Sequence, residues 1–99
     1  MGMMYKPPFR NFVKKQTRPL QLAVEDEIER IAEDPVIGET KIGDLKGIQV
    51  HKFKIQRQSF LVAYRVAKPE IIFYSIGTHE NFYGNLKRYL KESEKSDYS

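Results

Sequence analysis

"QVHKFKIQ", residues 49–56, is where the apolar period of the chain falls to two. Successive side chains of a strand point to opposite faces, so Val50, Lys52, Lys54 and Gln56 share one face and His51, Phe53, Ile55 and Arg57 the other. A basic face thus backs onto a largely apolar one. The two segments that follow, "SFLVAYRVA" (59–67) and "EIIFYSI" (70–76), are apolar on both faces over much of their length, the pattern of central strands covered on at least one side. Lys68 and Pro69 mark the turn between them.

Upstream the spacing is helical. In "KPPFRNFVKKQ" (6–16), Phe9, Phe12 and Val13 line one side of a short helix and leave Lys14, Lys15 and Arg18 in water. "TRPLQLAVEDEIERIAEDP" (17–35) has Pro19 where a first helical turn tolerates it and stops before Pro35. Its stripe is Leu20, Val24, Ile28 and Ile31, and Glu25, Asp26, Glu27 and Glu29 read as a solvated acidic face. "VIGETKIGDLKGI" (36–48) holds three glycines and reads as a loop leading into the sheet. Downstream, "THENFYGNLKRYLKE" (78–92) returns to helical spacing through Phe82, Leu86 and Leu90, with Thr78 placed to cap the helix. The polar residues 92–99 are expected to be disordered.

The expected fold is α+β: two N-terminal helices packed on a small antiparallel meander, then a C-terminal helix, with the helices on one face of the sheet, in one domain spanning residues 1–99. The chain has no cysteine and only two histidines, His51 and His79, so neither a metal nor another cofactor is expected. His51 has the opposite strand parity from the lysines and reads as structural. No apolar run approaches the roughly 18 residues that cross a bilayer, and "MGMMYKPPF" lacks the apolar segment of a signal peptide. A cytoplasmic protein with no membrane partner is the expectation.

Charge is divided unevenly along the chain. Residues 1–44 carry seven basic and eight acidic groups, whereas residues 45–91 carry nine basic groups against Glu70 and Glu80, a net +7. Such a segment is suited to a partner rich in phosphate or carboxylate. Lys46, Arg57, Arg65, Lys87 and Arg88 are its candidate phosphate contacts.

An acidic helix ending in "EDPVIGE", a "GDLKG" turn, the basic strand "VHKFKI", a strand ending in "YRV" and the closing "IGTHENFY" together resemble the RelE/ParE superfamily of bacterial toxins, over roughly residues 9–90. The resemblance implies the toxin of a type II toxin–antitoxin pair, held in check by a cognate antitoxin. Two targets are open. The RelE branch cuts mRNA in the ribosomal A site, and the ParE branch inhibits DNA gyrase without nuclease chemistry. Cleavage through a 2′-hydroxyl needs a base, an acid for the leaving 5′-oxygen, and cations for the charged phosphorane. By resemblance, Lys52 and Lys54 match the paired lysines of the basic strand, and His79 and Tyr83 match the residues after the last strand. These four are the candidate catalytic residues, and ribosome and mRNA the expected partners, with gyrase as the alternative. The family's arginine on the following strand is Leu61 here, leaving Arg57 or Arg65 to supply that charge.

Overall fold

The computed structural model describes residues 2–97, with side chains through Ser93. Five strands make one sheet: β1 (Gly2–Tyr5), β2 (Glu39–Thr40), β3 (Gln49–Ile55), β4 (Gln58–Ala67) and β5 (Glu70–Gly77), in the order β1-β5-β4-β3-β2. The expected meander is β3-β4-β5, all antiparallel. Two strands were not legible in the sequence. β1 runs parallel to β5 and β2 adds two residues beside β3, so the sheet is mixed. Both lie at sheet edges and are too short to show a period, which is why the pattern passes over them.

Helices α1 (Pro7–Lys14) and α2 (Arg18–Glu33) cover one face of this sheet. Phe9, Val24, Ile28 and Ile31 meet Phe53, Phe60, Val62, Tyr64, Ile71, Phe73 and Ile76 there, so the stripes expected of both helices are the ones buried. At about 1.5–3 kcal/mol for each large apolar side chain taken out of water, this cluster is the main support of the fold.

The third helix, α3 (Phe82–Asp97), lies on the opposite face rather than beside the other two. Phe82 and Leu86 pack on Leu45, Ile48, Val50, Leu61, Ala63 and Tyr74. Central strands that are apolar on both faces require this second cover. A register shift at Ala63/Tyr64 leaves Tyr74 as an extra residue on β5, turned toward α3. The helix begins later than expected: Thr78 is no cap, and the carbonyl of Asn81 accepts the N–H of Asn85 in the first turn. It also ends later. Residues 92–97, expected to be disordered, continue the helix to Asp97, while residues 98 and 99 lie outside the described residues. Among the described residues, no helix is long and apolar enough to cross a membrane.

The glycine-containing segment is held by one side chain. Tyr64, wholly buried, accepts the N–H of Gly38 at 2.9 Å and donates its hydroxyl to the carbonyl of Pro35 at 2.7 Å. A Cβ at position 38 would stand 2.4 Å from that hydroxyl, so only glycine fits. On the same face as Tyr64, His51 meets Glu27 of α2 at 3.1 Å and stacks on Phe53, which makes Glu27 a partly buried partner rather than part of a solvated face.

Candidate functional site

Lys52 and Lys54 leave β3 on the α3 side of the sheet, beyond the point where Val50 is covered, and both are exposed. Nothing among the described residues pairs with either ammonium as an ion pair. Lys52 faces Leu61 across to β4, and Leu61 faces Gly77 at the end of β5. The three residues form one row across the sheet, which sets the backbones of Lys52 and Gly77 about 10 Å apart. His79 follows Gly77 by two residues. The end of β5 therefore delivers His79 to the border of the lysine face.

His79 is exposed and sits in the turn before α3, where its carbonyl accepts the N–H of Phe82 at 3.3 Å. It is thus not in the first turn of the helix, and helical spacing does not set its relation to Tyr83. The two rings nevertheless meet edge to face, with centroids 6.3 Å apart and planes at 75°. Tyr83 is half-buried, held on its other side by a perpendicular contact with Phe82 at 5.2 Å.

The residue that the sequence did not reveal is Lys41. Its ammonium lies 5.2 Å from the centroid of the Tyr83 ring and 3.3 Å from Glu39. Desolvation lowers its pKa, but the interactions with Tyr83 and Glu39 outweigh that and leave it above the ordinary lysine value, so the group is charged at neutral pH. Its position follows from the Tyr64 anchor on Gly38 and from the Lys41 N–H bond to the Ile48 carbonyl at 3.0 Å. In the sequence it is one lysine in a loop, and only the pairing of β2 with β3 brings it to Tyr83.

Leu61, at the position of the expected arginine, is 4% exposed within the apolar cluster beneath α3. Neither alternative arginine stands there. Arg57 is exposed at the tip of the β3–β4 hairpin, in a two-residue turn whose Gln56 and Arg57 both have positive φ, 49° and 73°. Arg65 shares the face of Leu61 but lies four residues along β4, about 13 Å away. Its guanidinium lies over the Tyr74 ring at 5.8 Å and against Gly47.

Arg65 belongs to a different place. With Lys46, Lys87 and Arg88 it lines an open groove of about 990 Å³ between residues 84–93 of α3 and the 3₁₀ turn Gly43–Leu45. Four of the five candidate phosphate contacts thus gather in one groove, and Arg57 stands apart from them.

A family model described as the ParE-like toxin of type II bacterial toxin–antitoxin systems matches residues 3–87. No curated protein matches the sequence. Among solved structures, a chain of the intact E. coli RelBE toxin–antitoxin complex is similar at TM-score 0.63 and 15% identity, covering 80% of this chain and 96% of that one. The isolated E. coli RelE toxin gives 0.61 and 16%, covering 88% and 96%. The YoeB/ParE toxin from Agrobacterium tumefaciens gives 0.65 and 17%, covering 80% and 99%. At such identities these structures speak for a shared fold, and the family match covers most of the chain. This protein belongs to the ParE-like toxins of type II bacterial toxin–antitoxin systems.

Proposed function

We propose that this toxin acts as a RelE-like, ribosome-dependent mRNA endonuclease that needs no metal and is silenced by a cognate antitoxin. The observation that carries the reading is the unpaired Lys52–Lys54 face with the His79–Tyr83 ring pair on its border. In the proposed reaction the 2′-oxygen of a nucleotide attacks the adjacent phosphorus and loses its proton, while the bond from phosphorus to the 5′-oxygen breaks and that oxygen gains a proton. The products are a 2′,3′-cyclic phosphate and a 5′-hydroxyl. Lys52 and Lys54 hold the scissile phosphate and stabilise the phosphorane, whose added negative charge is where preorganised cations act most strongly. His79 carries one of the proton transfers. Tyr83 orients the RNA or stacks on a base, and Lys41 holds its ring in place.

Replacing His79 by alanine removes the imidazole and leaves the apolar stripe of α3 untouched. Growth arrest on induction should weaken, in keeping with the roughly 10²- to 10⁴-fold contribution of an acid or base, and Tyr83→Phe should cost less because the ring remains. Primer extension on transcripts from arrested cells should find cuts at ribosomal A sites. A folded His79→Ala protein as toxic as its parent would refute the mechanism.

One observation favours the second reading, a gyrase inhibitor of ParE type. Leu61 fills the expected arginine position with a buried apolar side chain, so a cation of the RelE set is missing. Under that reading supercoiling by purified gyrase is inhibited and transcripts stay whole.

A further inference from the structure

The groove along residues 84–93 of α3 has a composition that the proposed cleavage chemistry does not use. Six cations line it: Lys6, Lys46, Arg65, Lys87, Arg88 and Lys91. Among the described residues, the carboxylates on its wall are Asp44 and Glu92. Arg65 is the unusual member. It is half-buried, its Nε is buried with no hydrogen-bond partner, and no described carboxylate forms an ion pair with it. The guanidinium lies over the Tyr74 ring at 5.8 Å, and its charge has no ion-pair partner among the described residues to compensate it in the groove that it lines. Lys87 and Lys91 stand one helical turn apart on the facing wall, which continues the positive charge along the groove.

The occupant is selected by what the groove lacks as well as by its charge. A protein segment gains affinity from apolar anchors, yet among the described residues the exposed large apolar side chains, Met3, Met4, Leu22, Val36 and Ile42, all lie outside this groove, and Leu90, which lines it, is partly buried. Its aromatic members are Tyr74 and Tyr89. A row of cations beside the partly exposed ring of Tyr89 suits a phosphodiester backbone with its bases unstacked, whereas Tyr74 is buried and serves to seat Arg65. We propose that the groove binds the backbone of single-stranded RNA, with Arg65 as its central phosphate contact, at a place separate from the Lys52–Lys54 cluster. The proposal rests on the endonuclease reading only in the choice of RNA as the polyanion.

The test is direct binding of a fluorescent oligouridylate about ten nucleotides long to the purified toxin, followed by anisotropy across a salt series. Each phosphate contact contributes about 0.7 to the slope of log affinity against log salt, so Lys46→Met with Lys91→Met should flatten the slope by about 1.4. Arg65→Met should flatten it by about 0.7 and weaken binding at every salt concentration. Lys46 and Lys91 are exposed, so the double variant keeps the test alive if Arg65→Met fails to fold. Parent-like slopes in the folded variants overturn the assignment, as does a groove that takes polyglutamate and refuses oligouridylate. If the toxin cuts no transcript but binds RNA through these residues, the groove stands and the endonuclease reading falls. If it cuts transcripts while the variants bind like the parent, the groove assignment falls alone.

Discussion

The hydroxyl of Tyr64 lies 2.9 Å from the N–H of Gly38, across 26 residues of sequence, and ties the segment that carries Lys41 to the middle of the sheet. Gly38→Ala forces a Cβ into that contact and should destabilise the protein by about 1–3 kcal/mol, the range typical of overpacking. Tyr64→Phe leaves a buried N–H and a carbonyl without their partner, at a cost of about 1–3 kcal/mol. Urea unfolding measures both. Each variant should also weaken toxicity beyond its loss of folded protein, because Lys41 loses its seat beside Tyr83.

Alkaline pH acts on the same side chain. Burial raises the Tyr64 pKa above its ordinary value of about 10, partly offset by the Gly38 N–H, with the charge of Asp34 adding to the rise. The folded chain therefore keeps a proton that the unfolded chain releases. The stability involved is fully present below pH 10 or so and is lost as pH rises through the folded value. Tyr5, raised chiefly by burial and also by Glu25, adds a decline of the same sign. Unfolding free energies between about pH 9 and 11 should fall less steeply for Tyr64→Phe than for the parent, whatever their absolute values.

Restoring the family's arginine should fail. Leu61 is packed under Phe82 and Leu86, so Leu61→Arg buries an unpaired charge and should cost about 3 kcal/mol or more, read as a lowered denaturation midpoint. Leu61→Met, which keeps volume and polarity close, should cost less than about 1.5 kcal/mol. A stable and more toxic Leu61→Arg would mean that α3 gives way to admit the guanidinium.

The β3–β4 hairpin turn holds two ordinary residues in a conformation that favours Asn-Gly. Exchanging Gln56 and Arg57 for that pair should raise stability by about 1–2 kcal/mol in thermal or chemical unfolding. The same exchange removes a candidate phosphate contact. Gained stability together with lost toxicity would identify Arg57 as a residue kept for its charge.

What was legible in the sequence follows from how local each cause is. The stripes of α1 and α2, the meander and the Lys52–Lys54 face are periodic over seven or more residues, and a period survives in a linear reading. β1 and β2 were illegible because an edge strand of four or two residues has its cause in a distant partner. The side of the sheet that α3 covers was equally hidden, although the apolar run on both faces of β4 carried the hint. His79 and Tyr83 were paired in the sequence by resemblance, and what joins them is a turn followed by an edge-to-face contact, neither of which leaves a period to read. Lys41 needed the β2–β3 register, and Arg65 was separated from Leu61 by counting along β4.

The parallel pairing of β1 with β5 has a consequence for synthesis. Gly2 through Tyr5 are made well before their partners, Glu70 through Phe73, so this strand waits for the last part of the sheet before it finds its place. Tyr83 is made later still. A nascent chain stopped before residue 77 holds the β3 lysines without the strand end and helix that surround them, and its open edge strands make it a substrate for proteases and chaperones. A chain interrupted before Gly77 lacks the strand end and the helix on which the candidate site is assembled.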